Sequence, residues 1–358
     1  MFLAIREIWY SKLRYFLIGL IMVLITWLVF MVAGLANGLS ADNASAIDRM
    51  NADYFVMQKD AEGKLNRSQI SKIQWKGVSQ QTKDKNATPI GMKMTSVLKL
   101  GTTKKMDITA FAVDINGFIA PKVIVGSSIK FLAKGEIVID QSLEQEGIRI
   151  GDWMVDSNSE KKWKVVGYTT NNSYSHSPVI YMNQATWIDW TKQDSYNAVV
   201  LRGMESQKIK LNKELELVSK KRVLQSTPGY KEEQGSLEMM IAFLFIIASF
   251  IQAVFFYVIT LQKSHQFGVL KAIGATTKYL VRSVVGQIIV IASISVLVSI
   301  GFTYATSLIL PDSVPFILEK STFAGFSVLM IMVSLLGALL SIYQITKVEA
   351  IDAIGRVE

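Results

Sequence analysis

MMIAFLFIIASFIQAVFFYVITLQKSHQFGVLKAIGATTKYLVRS, residues 239–283, decides the architecture. Its first part, 239–261, carries Gln252 as its only strongly polar residue and has the length of about 20 residues that a helix needs to cross a bilayer. Lys263, Lys271, Lys278 and Arg282 then interrupt the apolar run before it resumes towards Leu310. Two membrane spans with a short charged connection are the reading. Within the connection, Phe267, Val269, Leu270 and Ile273 fall at helical spacing, and Gly274 is placed to end the helix. Such a helix either lies flat on lipid or protrudes to dock on a partner; the residues fit both.

Working outward, residues 16–36, FLIGLIMVLITWLVFMVAGLA, form an uncharged run long enough to span, and 323–345 form another. The first could instead be a cleaved leader with Gly34 and Ala36 near its processing site, but its apolar core exceeds the usual 7–15 residues. The run at 280–310 is longer than a span needs and holds Arg282 near its start, which predicts a tilt or an amphipathic entry turn.

Lys and Arg near span ends set orientation. Arg6, Lys12 and Arg14 precede the first span, the four cations above lie between the second and third, and Lys347 and Arg356 follow the fourth. All three groups are expected in the cytoplasm, with both termini. The link PDSVPFILEK from Pro311 has one lysine against two acids and belongs outside, as does the long insert, whose lysines do not count because long domains translocate largely regardless of charge.

The expected organisation is therefore a cytoplasmic amphipathic segment (1–15), span one (16–38), an extracytoplasmic domain (39–235), span two (236–262), a cytoplasmic helix (263–277), span three (278–310), an outer loop (311–321), span four (322–346) and a cytoplasmic tail (347–358). The fold class is an α-helical membrane protein with four transmembrane helices plus a sheet-rich α+β domain inserted between helices one and two.

Composition agrees. Of 358 residues 50% are hydrophobic while 19% are charged, which requires apolar and polar residues to occupy separate stretches. Cysteine is absent, so no disulfide staples the insert and no thiolate serves as nucleophile or ligand. The net charge of +9 is scattered without a basic-aromatic module, which argues against nucleic acid as a partner and for anionic lipid.

In the insert, DYFVM, SVLKL, MDITAFAV, KVIVG, EIVID, KWKVVGY, PVIYM and NAVVL read as strands between turn residues. Helices are expected at 44–50, 69–75, 185–191 and 205–221.

No catalytic constellation appears. His176, in NNSYSHSP, is the insert's one histidine and reads as a turn or edge residue before Pro178. A nucleophile elbow G-x-S-x-G and a P-loop GxxxxGK[ST] are both missing, so any ATP is bound by another subunit.

FGVLKAIGAT between two spans, with the tail KVEAIDAIGRVE, resembles the signature region of ABC transporter permeases of the FtsX and MacB-like superfamily. The resemblance implies a homodimer that recruits a cytoplasmic ATPase dimer through the short helix. Carried over residue by residue, Phe267, Gly268, Val269, Leu270, Lys271, Ala272, Ile273 and Gly274 would form the ATPase coupling surface.

The N-terminal MFLAIREIWYSKLRYFLI, then GLANGLSADNASAID, GYKEEQGSLEMMIAFLF and AVFFYVITLQKSHQFGVLKAIG are similar to the haem-exporter permeases (HrtB type) of Gram-positive bacteria. That resemblance implies export of haem, or of a similar hydrophobic toxic compound, with the haem iron held by a span-one methionine and a glutamate near span two. Met31 matches the first and Glu233 the second, with Glu232 and Glu238 as alternates. On its own, Met31 reads as a lipid-facing or packing methionine, and Glu233 also fits an ordinary interfacial acid at a helix start. Trp27, Phe30, Leu35 and Phe243 would line an apolar slot, or pack as span residues do. A mechanotransmission permease for peptides, lipoproteins or antibiotics, and a regulator of a cell-wall hydrolase, are the competing readings.

Overall fold

The computed structural model describes residues 12–82, 86–203, 209–311 and 314–347. The expected amphipathic segment and the tail motif therefore lie largely outside the described residues. The chain forms two compact units, one of residues 1–38 and 235–358, the other of residues 39–234. Among the described residues four helices are long and apolar enough to cross a membrane.

The helices are α1 (Lys12–Asp48), α2 (Lys72–Ser79), α3 (Ser142–Gln145), α4 (Gln184–Thr191), α5 (Lys220–Gln225), α6 (Tyr230–Gln262), α7 (Ser264–Ala272), α8 (Thr277–Ser307), α9 (Lys320–Gly337) and α10 (Leu339–Lys347). The unit boundaries fall within α1 and α6. α1 has one non-helical residue, Ala44, with φ −144°.

In the membrane unit, hydroxyls of α8 bond to the backbone of α1: Ser295 Oγ donates to Gly19 O at 3.3 Å and Ser299 Oγ to Val23 O at 2.9 Å. Apolar packing alone distinguishes helix neighbours poorly in lipid, so such bonds and small residues fix which helices pair. Near one end Tyr15 Oη donates to Gln287 Oε1 (2.8 Å) and accepts from the buried Lys263 ammonium (2.6 Å), joining α1, α8 and the connection after α6. Near the other, Phe30 packs on Phe323 with ring centroids 4.7 Å apart. Gly34 and Gly38 admit the 314–317 loop: a Cβ on Gly34 would lie 2.4 Å from the Phe316 ring, and one on Gly38 2.0 Å from Pro315 O.

The expected fourth span is α9 followed by α10, with Ala338 between them in a right-handed helical conformation (φ −77°, ψ −11°). α9 stops at Gly337 and α10 begins at Leu339, with the Ala338 N–H turned back to Ser334 O and Leu335 O. Gly337 sits where α9 meets α6, and a Cβ there would lie 3.0 Å from Ser249 O and from Ala253 N. Close backbone approach needs glycine at that crossing.

In the second unit the strands are β1 (Tyr54–Gln58), β2 (Ile70–Ser71), β3 (Ala87–Lys99), β4 (Lys105–Val113), β5 (Val125–Gly126), β6 (Glu136–Asp140), β7 (Trp153–Asp156), β8 (Lys162–Thr169), β9 (Ser173–Tyr174), β10 (Ser177–Asn183), β11 (Ser195–Tyr196), β12 (Ala198–Leu201) and β13 (Leu215–Ser219). The main sheet runs β13-β1-β12-β3-β4-β10-β6-β8-β5, and β7 pairs with both β3 and β8. Strands β3, β4, β10, β6, β8 and β7 thus close a ring. The β4–β10 and β6–β8 pairs are parallel.

β4 is buried on both faces. Ile108, Ala110 and Ala112 enter one core with Trp163, Trp187 and Trp190, and Phe111 and Val113 enter another with Phe55, Tyr174 and Tyr181. Ala46 and Ile47, from the last turn of α1, and Met50 pack in the second core. The fully buried Asp156 is held by Thr95 Oγ1 (2.6 Å), the Ser159 backbone N–H (2.9 Å) and hydroxyl, and Trp190 Nε1 (3.2 Å). Burial alone would raise its pKa, yet these donors hold it below the ordinary carboxylate value.

Two expectations change. SVLKL is only the end of the 13-residue β3, whose start is masked in the sequence by Pro89 and Gly91. Pro89 is tolerated because the ladder to β4 begins at Gly91, so nothing on that side needs its missing N–H. Of the helix expected at 205–221, residues 205–208 lie outside the described residues, and 215–221 are instead β13 and the start of α5: Phe55 and Met57 of β1 pair with Val218 and Glu216, and that pairing overrides the helical spacing.

Candidate functional site

β9 and β10 form a hairpin in which Ser177 pairs with Tyr174, leaving Ser175 and His176 as its two-residue turn. Both have positive φ, 50° and 58°, as a type I′ turn requires. The Ser175 N–H donates to Asn43 O at 2.6 Å, beside the break in α1. This seats the His176 ring between two helices of the same unit.

His176 Nδ1 lies 2.7 Å from Asp42 Oδ2 of α1, and Nε2 lies 2.9 Å from Glu233 Oε1 in the first turn of α6. Asn43 Nδ2 reaches Glu233 Oε2 at 3.2 Å and Pro228 O at 3.3 Å. Burial lowers the imidazole pKa, but hydrogen bonds and charge from Asp42 and Glu233 outweigh it and raise the value above the ordinary one. With a carboxylate at each nitrogen, both ring N–H groups donate. Gly229, at φ 81°, leaves the room this needs: a Cβ there would lie 3.0 Å from Glu233 Oε1 and 3.3 Å from Asn43 Nδ2. Ser40 Oγ to Tyr230 Oη, 3.0 Å, is a further bond between α1 and α6.

His176 is thus a turn residue, as its sequence suggested, but one with two charged partners. Asp42 and Asn43 had no sequence signal, being separated from their partners by 133 to 190 positions. Glu233 is half-buried in this network, whereas Glu232 and Glu238 are exposed.

In the membrane unit, Trp27, Met31 and Leu35 recur every four residues and are all half-buried, forming one stripe along α1. The Trp27 indole nitrogen is buried with no acceptor among the described residues, a cost of about 1–3 kcal/mol that calls for an explanation when found in a native fold. Phe30 points elsewhere. It is fully buried against Phe323. Phe243 is 56% exposed on α6.

The expected coupling surface divides. Phe267 and Gly268 are buried, Phe267 among Tyr15, Phe256, Leu280 and Val284, and they anchor α7 to the bundle. Val269, Ala272, Ile273 and Gly274 are exposed, Ile273 at 76%, while Leu270 and Lys271 are intermediate. The helix ends in a Schellman motif, with Ala275 N–H on Leu270 O, Gly274 N–H on Lys271 O, and Gly274 at φ 101°. Lys271 Nζ donates to Ile345 O at 3.1 Å, tying α7 to α10.

Residues 238–350 match the model of the FtsX-like permease C-terminal family. The chain belongs to the FtsX-like family of ABC transporter permeases. Within it, the chain is similar over 99% of both lengths to the putative hemin transport system permease protein HrtB of Staphylococcus haemolyticus, with 31% identity over 358 residues. A protein of the same name from Staphylococcus epidermidis is 31% identical over 355 residues, covering 99% of each chain. An uncharacterized ABC transporter permease of Mycobacterium tuberculosis is 21% identical over 359 residues, again over 99% of each. Among solved structures, the periplasmic region of MacB from Actinobacillus actinomycetemcomitans aligns with TM-score 0.37 and 12% identity, covering 50% of this chain and 94% of that one.

Proposed function

We propose that this permease exports haem, or a similar hydrophobic toxic compound, from the membrane as a homodimer driven by a separate cytoplasmic ATPase. The single observation that carries the cargo is full-length similarity to proteins named as putative hemin permeases. Membership of the ABC permease family implies the ATPase partner. The exposed apolar turn of Val269 and Ile273 supports α7 as the surface that receives it.

Haem brings an apolar macrocycle, two propionates and an iron that accepts thioether and carboxylate donors. The half-buried Trp27, Met31 and Leu35 stripe suits the macrocycle, with the Met31 thioether as one iron ligand. Glu233 is our choice for the carboxylate, since it alone of the three candidate acids is partly buried and held in place.

Haem titration of the full-length chain in lipid nanodiscs, followed by its Soret band, tests the assignment. Met31→Ala and Glu233→Ala are each expected to weaken binding at least tenfold and to shift the band. Unchanged spectra in both variants would remove these two residues as ligands.

A further inference from the structure

His176, in the hairpin turn, touches the very carboxylate proposed as an iron ligand. Glu233 has both oxygens engaged, Oε1 by His176 Nε2 at 2.9 Å and Oε2 by Asn43 Nδ2 at 3.2 Å. His176 is fixed in turn from its other nitrogen by Asp42 at 2.7 Å and from its backbone by the two-residue hairpin turn. Asn43 is completely buried, and its amide also grips Pro228 O, directly before α6. A glutamate on the first turn of a helix would ordinarily sample several rotamers in water. Here it is held in one by groups from two separate segments of the chain, the hairpin turn and α1.

We infer that His176 and Asn43 are positioning residues for Glu233, and Asp42 for His176, so that a haem-bearing permease meets a carboxylate already oriented. This rests on the reading of Glu233 as a haem ligand. A carboxylate offers about four lone-pair directions; the two donors occupy two and leave the others for iron. Outer hydrogen bonds of this kind orient a ligand and tune its basicity, and their loss typically costs about 10–100-fold in affinity. Neither His176 nor Asn43 touches the iron in this arrangement. Their effect passes through the oxygen atoms of Glu233.

The geometry provides its own control, because the two ring nitrogens have different partners. A glutamine at 176 can place its amide nitrogen where Nε2 lies and keep the bond to Glu233. An asparagine places its amide nitrogen where Nδ1 lies and keeps only the bond to Asp42. Haem titrations of the full-length chain in nanodiscs are expected to show His176→Asn weakened about tenfold or more, with a changed Soret and electron-spin-resonance signature, and His176→Gln within about threefold of the parent. Asn43→Ala, which leaves the hairpin turn intact, is expected to weaken binding about as much as His176→Asn. It carries the test alone if glutamine is not tolerated at positive φ.

A role confined to holding the hairpin against α1 would reverse the order, with His176→Asn the milder change. That order, or parent-like affinity in both His176→Asn and Asn43→Ala while Glu233→Ala abolishes binding, would overturn the positioning role and leave Glu233 as ligand. Parent-like affinity and spectrum in Glu233→Ala would instead remove the ligand reading and this inference together.

Discussion

Removing the Asp156 carboxylate would take the acceptor from the Thr95 and Ser159 hydroxyls and from the Ser159 backbone N–H, while Trp190 Nε1 would keep only Ser159 Oγ at 3.1 Å. Stranded buried donors cost about 1–3 kcal/mol each, so Asp156→Ala is expected to destabilise the inserted unit by about 3 kcal/mol, measured by denaturant unfolding of the full chain in detergent. The pH sign follows from its depressed pKa. The folded carboxyl releases its proton below the unfolded value of 3.8, so the stabilisation is complete above that pH and is lost as pH falls through the folded pKa. Unfolding midpoints should therefore drop more steeply on acidification in the parent than in Asp156→Asn; parallel profiles would refute it.

The same scale shows what a sequence can hide. Met31 and Glu233 stood out through the resemblance to the haem-exporter permeases, and neither is distinguished by its local pattern alone. The His176 ring gave no local hint, since its partners lie 134 and 57 positions away and only the folded hairpin brings them to its two nitrogens.

At the scale of an element, α7 makes the sharpest prediction. One face is buried in the bundle and the other, exposed, is the one proposed to receive the ATPase, so substitutions on them should fail in different ways. Ile273→Asp, on a 76% exposed side chain, should leave the melting temperature within about 1 °C of the parent, because exposed substitutions lie within about ±0.5 kcal/mol. It should weaken association with the ATPase by about 2 kcal/mol, or roughly 30-fold, read by co-purification and by stimulated hydrolysis. Phe267→Ala empties a buried site and should cost about 3 kcal/mol in stability. Equal loss of stability in both variants would contradict the division.

The spacing of Phe267, Val269, Leu270 and Ile273 announced this helix, and Gly274 announced its end. The sequence did not announce which apolar residues faced inward, because a nine-residue helix with apolar residues around most of its circumference has no single buried stripe. The role of Gly337 was hidden for a related reason: a glycine is unremarkable in an apolar run until α6 approaches its backbone. β13 was misread because its burial follows pairing with β1 rather than any period of its own.

Over the whole molecule, the separation into a membrane unit and an inserted unit was legible, since long apolar runs and turn-punctuated polar segments occupy different parts of the chain. Most strands of the insert were legible too, because alternation and turn residues are local. The strand order was not: β1 lies between β12 and β13, and β7 closes the ring between β3 and β8, through contacts that no local pattern encodes.

The central claim is that the assembled permease moves haem at the expense of ATP. Its most direct measurement places the full-length chain and its partner ATPase in proteoliposomes with haem in the bilayer, and an apo-haem-binding protein on the side of the inserted unit as acceptor. ATP-dependent appearance of haem on the acceptor is expected, abolished by a non-hydrolysable analogue and by Ile273→Asp, and reduced by Met31→Ala and Glu233→Ala. Vigorous ATP hydrolysis by the intact assembly with no haem delivered above the ATP-free rate would contradict it.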